Sequence, residues 1–391
     1  MSADLGADAL RVVKVRAHTL RVPFTVPLRN TPTDAEITLL ELEAANGMTG
    51  QAACYYPTGE VLRQLLADEA GPVLVGADAT RPEVVRHTLR AALRQAAGLA
   101  AWGGSLIDLA LWDLRGKGAG LPVWKLLGGA RSEVPTYVTF GLPAYTNDEL
   151  TSVARQLVDE GHKRLKIIVG AGPRPRHGVA RDPLTAPSAE DLERDAIRVE
   201  AVREAVGENV ALMIDANRNL PLPSAVALAQ RLSPVHLAWF EDPVERNDVH
   251  LLAQLRRKVD VPIAVGGMGI FDPLRFRDLL EADAVDILQP NVRDSGGYTG
   301  GLKAAALAEA YGVPLGMGGN WPHLNAHLHA GVPNGGWVEY HWQGWKVAET
   351  LYTGVPVPEA GLARMGETPG IGVRLRDGVL EDLAVGTSQH G

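Results

Sequence analysis

Cysteine is nearly absent from this 391-residue chain. Its one thiol, Cys54, excludes an intrachain disulfide and a thiolate metal cluster. Blocks of Lys and Arg are missing too, and the formal net charge is -8. Nucleic acid and anionic membranes need clustered cations, so neither is an expected partner. No uninterrupted apolar run of about 20 residues occurs, the length that a membrane-spanning helix requires. Met1 to Ala9 carries acids where a signal peptide would place a basic and then an apolar stretch. The expectation is a cytoplasmic protein with a small-molecule ligand. Apolar residues make up 46% and charged ones 21%, as in folded soluble proteins, and the length suffices for two domains.

The first 130 residues read as α+β. Strands are expected at 12–21 and 37–44 and helices at 61–70 and 83–96, with turn signals at Pro27, Asn46-Gly47 and Gly71-Pro72. From Pro135 onward strand and helix alternate. Strands are expected near 135–140, 163–169, 210–215, 235–240, 261–265, 284–289, 313–317 and 336–340, with Ala- and Leu-rich stretches between most of them. Seven or eight such units over roughly 220 residues suit a closed parallel barrel better than an open sheet. Residues 105–115 form a helix that is apolar on more than one face, which predicts burial between the two parts.

Two of the barrel runs end in an acid. Asp215 closes the run 210–214, and Glu241, 26 residues on, closes 237–240. After a further 26 residues, where the rhythm calls for a third acid, the run 261–265 ends in Gly266-Gly267. Carboxylates at the ends of successive parallel strands point into one mouth and can hold a divalent cation through oxygen. With two acids and a gap, the expectation is a weak divalent-cation site or none, the alternative being that Asp215 and Glu241 are hydrogen-bonding residues or pair with Lys166. Asp242, beside Glu241, is expected to point away and to be structural.

Residues 108–129 (DLALWDLRGKGAGLPVWKLLGG) resemble the signature that joins cap to barrel in the enolase superfamily, in its mandelate racemase and muconate lactonizing enzyme branch. Further matches follow in order: Asp215-Ala-Asn217, Phe240-Glu-Asp-Pro243, Pro262-Ile-Ala264, 286–290 (DILQP), Gly296-Gly297 and Ala326-His-Leu328. Residues 369–373 (PGIGV) resemble the C-terminal strand that returns to the cap. The resemblance implies a modified (β/α)7β barrel of TIM type under an α+β capping domain. The implied division is a cap at 1–130, a barrel at 131–345 and a returning segment at 346–391.

The resemblance also implies chemistry: loss of a proton next to a carboxylate, with the enediolate held on Mg2+. Asp215 and Glu241 match two of the three metal ligands, Asn217 a supporting polar residue, and Gly267 the missing third. Of the Lys-x-Lys pair, Lys166 remains, but Ile168 stands at the base position and cannot accept a proton. The Asp-His dyad of racemase-type members falls on Asn291 and Gly319. The lysine of lactonizing members, near Leu288 or Gln289, is absent. Glu339 aligns with the acid that hydrogen-bonds the enolate and in neutral form would act as a donor; the alternative is a salt-bridged Glu at a strand end.

Other residues can fill the gaps. His323, His327 and His329 cluster after the seventh strand; the first two share a helix face by their spacing, and a structural role is the favoured reading, with His323, nearest the strand end, the best of the three for acid-base work. Arg174, Arg176, His177 and Arg181 lie on a long connection that can close on an anion, the alternative being a plain surface loop. Residues 29–31 and 54–56 match the family's two specificity loops, with Cys54 itself expected to be packing. The expected catalytic residues are Lys166, Glu339 and His323. Arg29, Tyr55, Asn217, Gln289, Asn291 and His177 are the expected substrate contacts. The functional expectation is a lyase or isomerase for a small carboxylate or related anion, in a homo-oligomer. The alternative is a pseudoenzyme kept for ligand binding or assembly.

Overall fold

The computed structural model describes residues 8–28, 33–55, 59–93, 97–141, 145–170, 187–266 and 273–391. Near the N-terminus, β1 (Val12–Phe24), β2 (Thr33–Ala44) and β3 (Thr49–Tyr55) form an antiparallel meander. Strand β3 is absent from the sequence reading because TGQAACY contains a single β-branched residue. The tight turn at Asn46-Gly47 nonetheless returns the chain against β2, with Ala44 N–H donating to Met48 O at 2.8 Å. A C-terminal strand, Ala384–His390, pairs antiparallel with the other edge of β1. The return to the cap is therefore made some 15 residues later than 369–373. Gly370 and Gly372 have φ of 79° and 77°, a left-handed backbone that a strand cannot contain.

The helix Ala97–Ala119 runs between this sheet and the barrel, and Leu106, Ile107, Leu109, Ala110, Leu111, Trp112 and Leu114 are all buried. Its burial is as the two-faced apolar pattern predicts. Asp108 on this helix is buried as well. Its Oδ1 accepts from the Thr299 N–H at 3.1 Å, and Oδ2 has no hydrogen-bond partner. Burial pushes the carboxyl up from 3.8 to about 7, against the hydrogen bonds from Thr299 and the charge of Arg86. An acid whose pKa is raised by folding contributes stability that is complete below the unfolded value and lost as pH rises through the folded one. The melting temperature should therefore fall between about pH 4 and pH 7, and fall less in Asp108→Asn. Calorimetric melts across that range test this, and equal slopes for the two proteins would refute it.

The barrel strands are β4 (Glu133–Gly141), β5 (Arg164–Ile168), β6 (Ala211–Asp215), β7 (Phe240–Glu241), β8 (Ile263–Val265), β9 (Ile287–Leu288) and β10 (Val338–His341). Each is parallel to its neighbour, and β10 pairs with β4. Between β9 and β10 the expected strand at 313–317 is reduced to one bridge, Leu288 to Leu315. That segment still closes the ring. Gly316 N–H donates to Leu288 O at 2.9 Å and Met317 N–H to Trp337 O at 3.0 Å. The strand expected at 235–240 shrinks to two residues because a 3-10 turn, Ser233–Val235, ends in His236 with φ 53°. The chain thus forms a (β/α)7β barrel of TIM type with an α+β cap. A short hairpin, Pro358–Glu359 with Leu362–Arg364, adds antiparallel to the start of β4.

Candidate functional site

Alternation along β5 sends Leu165 and Ile167 outward into the helix-facing core and Arg164, Lys166 and Ile168 inward. Beneath Lys166 lies an apolar floor of Tyr137, Met213, Trp239 and Ala264, a cluster separate from the outer core. Tyr137 and Trp239 meet edge to face at 5.2 Å, and the Lys166 Nζ lies 5.2 Å from the Tyr137 ring centre. The floor offers the ammonium only one oxygen, that of Tyr137 at 3.4 Å, so its strong partners lie above.

Those partners come from three strand ends. Lys166 Nζ lies 2.5 Å from Glu241 Oε1, 3.0 Å from Glu339 Oε1 and 3.3 Å from Asp215 Oδ2, and its side chain is wholly buried. The backbone turns sharply after two of these acids: Asn217 and Arg218 have φ of 48° and 63°, and Asp242 has 43°. Asn and Asp tolerate this left-handed conformation better than most residues. The Asn217 N–H donates to Asp215 Oδ1 at 2.7 Å, which fixes the carboxylate. Glu241 Oε2 accepts from Trp239 Nε1 at 3.1 Å and from Gln289 Nε2 at 2.9 Å. Glu339 Oε1 accepts from the Thr139 hydroxyl, whereas its Oε2 is buried without a partner.

Burial alone would lower the Lys166 ammonium, but Glu241 and Glu339, with Tyr137 and Asp215, hold it well above its usual range. Burial raises the Glu339 carboxyl, yet Lys166 and His341 outweigh it and leave the group below the usual value. The Lys166 contact and the Thr139 hydroxyl favour the ionised, hydrogen-bond-accepting form of Glu339, as in the salt-bridged alternative to a neutral donor. Burial pushes the Glu241 carboxyl well up in spite of Lys166, with the charges of Asp215 and Glu339 adding to the effect.

Above the acids is a small cavity of about 80 Å³, lined by Ile168, Asp215, Asn217, Glu241, Asp242, Arg293, Gly319, Asn320, Glu339 and His341. The positions that the resemblance assigns to the two bases, Ile168 and Gly319, do face this space. Three of its residues, Arg293, Asn320 and His341, are missed by the sequence reading. His341 follows Glu339 by two residues on β10, so strand alternation already put it on the inward face; its Nδ1 is buried and without a partner. Arg293 carried no such signal. It reaches the cavity from the loop after β9 and is ion-paired with Asp294 at 2.7 Å. Asp242, expected to point away, lines the cavity while accepting from Asn247 Nδ2 at 2.8 Å; burial raises its carboxyl to about 6.

The other expected site residues divide. Asn217 lines the cavity; Gln289 lies behind it against Glu241. Asn291 is buried and engaged: it donates to Gly318 O at 2.9 Å, and its Oδ1 accepts from Arg293 N and Asn325 Nδ2. It holds the loop and does not line the cavity. Tyr55 is half-buried at the end of β3 and packs on the apolar core. His323 is a correction: it is not among the cavity residues. Its ring lies 5.6 Å from that of Trp321 and 5.5 Å from that of Tyr352, and burial lowers it to about 3, so it stays neutral. His327 accepts from Trp124 N at 3.0 Å and donates to Ile371 O at 2.9 Å, and His329 accepts from Gly336 N; both tie segments together. Cys54 is buried in the core. Arg29, Gly267 and the loop residues Arg174, Arg176, His177 and Arg181 lie outside the described residues. Among the described residues no helix is long and apolar enough to cross a membrane.

Comparison with known proteins matches two family models. Residues 9–128 match the mandelate racemase / muconate lactonizing enzyme N-terminal domain, and residues 149–379 match the enolase C-terminal domain-like model. The chain is 29% identical to the arabinonate dehydratase of Saccharolobus solfataricus, over 89% of this chain and 90% of that one. It is 31% identical to the 3,6-anhydro-alpha-L-galactonate cycloisomerase of Streptomyces coelicolor, over 96% of this chain and all of that one. Among solved structures it resembles the L-talarate dehydratase of a Polaromonas species, complexed with Mg and L-glucarate. The TM-score is 0.83 and the identity 30%, over 97% of this chain and 99% of the other.

Proposed function

Because this chain belongs to the mandelate racemase / muconate lactonizing enzyme branch of the enolase superfamily, we propose that it is a lyase or isomerase of a small polyhydroxy carboxylate. It works, in this reading, without the third acidic ligand and without the two usual bases. The observation that carries the reading is Glu339 Oε2, a carboxylate oxygen buried beside the cavity with no hydrogen-bond partner among the described residues. A buried unpaired acceptor is costly, and a substrate hydroxyl or acidic C–H placed there offsets that cost. The sugar-acid reactions in the names of the relatives support the substrate class.

The residues present allow a balanced dehydration. Glu339, ionised, takes the proton from the carbon next to the substrate carboxylate. The neighbouring carbon–oxygen bond then breaks, and the protonated Glu339 gives the same proton to the leaving hydroxyl. Water and an enol are formed, and Glu339 returns to its starting state. If the proton goes back to the same face of that carbon, substrate is regenerated; an isomerisation requires delivery to the opposite face or to the neighbouring carbon. Lys166, 3.0 Å from Glu339, supplies fixed positive charge where negative charge develops. Its depressed pKa makes Glu339 a modest base, so the burden falls on positioning and on that charge.

The test is to incubate the purified protein with arabinonate, galactarate and 3,6-anhydrogalactonate and to follow the 2-keto-3-deoxy product as its semicarbazone. Turnover of at least one acid is expected. No turnover, with melting temperatures that still rise in the presence of these acids, would establish the pseudoenzyme alternative in its place.

A further inference from the structure

We propose that the Lys166 ammonium is the resident cation of this barrel and takes the seat that a divalent metal would otherwise fill. Asp215, Glu241 and Glu339 approach from three different strands, and the point on which they converge is Nζ, at 3.3, 2.5 and 3.0 Å. Mg2+ demands close to six oxygens at about 2.0–2.1 Å. The donors here do not fit that demand. Glu241 has Oε1 on Lys166 and Oε2 on Trp239 and Gln289, which leaves little of a carboxylate's capacity of about four acceptor positions. Asp215 Oδ1 holds the Asn217 N–H, and Oδ2 faces the ammonium. With the ammonium between them, the acids are spread around a different ion. Among the described residues no three acid, His or Cys side chains form a metal-holding group.

The lysine cannot easily withdraw. Its side chain has no exposure, and the Tyr137, Met213, Trp239 and Ala264 floor closes the space below it. A divalent ion entering the cavity would meet a fixed positive charge about one contact distance away, in surroundings that screen it poorly. Strand β8 offers no acid to change the balance, since its run ends in Gly266-Gly267. The inference concerns what the seat holds; it does not depend on the reaction proposed above, and a binding measurement tests it without a substrate.

Chelator-treated full-length protein and its Lys166→Met variant are titrated with MgCl2 by calorimetry and by thermal melting. The wild type is expected to show no binding heat and no shift in melting temperature up to about 5 mM. Lys166→Met, with three uncompensated carboxylates, is expected to take up Mg2+ at least about tenfold more tightly and to melt at higher temperature as Mg2+ is added. Submillimolar binding by the wild type overturns the proposal, and so does a folded Lys166→Met that ignores Mg2+. If Lys166→Met does not fold in chelator, rescue of folding by about 5 mM MgCl2 but not by the same concentration of KCl supports the proposal. Failure of that rescue overturns it.

Discussion

Glu339→Gln should lower turnover of the true substrate at least about 100-fold, the usual range for loss of a general acid-base group. Glutamine keeps the shape of the side chain, and its carbonyl can still accept from the Thr139 hydroxyl. It loses the proton-accepting oxygen beside the cavity and one of the three negative charges around Lys166. Because binding draws on the same cavity, kcat should fall more than KM rises. A melting curve close to that of the wild type shows that the loss is chemical. Full turnover by the variant would remove Glu339 from the reaction and leave His341, Asp242 and Glu241 as the other cavity groups able to carry a proton. Lys166→Met should lose activity to a similar degree for a different reason, the loss of fixed positive charge beneath the substrate.

The convergence of Lys166, Asp215, Glu241 and Glu339 was readable from the sequence, because each stands in an apolar run that ends at the barrel mouth and strand direction fixes the face. His341 obeys the same alternation on β10. Its own strand, β10, was expected to end at 340 and runs to His341. His323 misled for the opposite reason. Helical spacing tells which residues share a face and nothing of what that face meets, and Pro322–Gly331 is buried on every side. Similar limits explain the strand at 313–317. Its hydrophobic run is that of a strand, yet Gly316, Gly318 and Gly319 and the close approach of Gly336 to Leu315 leave room for one bridge only. For Glu339 the sequence leaves a neutral donor and a salt-bridged acid both open, since the choice turns on a 3.0 Å contact with a residue 173 positions away in the chain.

Gly319 stands where the resemblance places a catalytic histidine, and Gly319→His should fail to restore a base while destabilising the protein. The residue has φ of 91°, a conformation that side-chain-bearing residues adopt at a cost of roughly 1–2 kcal/mol. A Cβ built there lies 2.6 Å from Asn291 Nδ2, closer than any relaxed contact. Asn291 cannot yield freely, because it donates to Gly318 O and accepts from Arg293 and Asn325. Overpacking of this kind adds about 1–3 kcal/mol, so the total is roughly 2–5 kcal/mol. In a chain of this size that corresponds to a fall in melting temperature of about 2–6 °C. Gly319→Ala shares the backbone strain and the contact, and should show much of the same loss. Deuterium from solvent should not enter the α-position of simple 2-hydroxy acids in the histidine variant any faster than in the wild type. If Gly319→His melts like the wild type and exchanges that proton, the loop is free to rebuild the dyad position, and the absence of a histidine is then a matter of one substitution in a site still shaped to hold it.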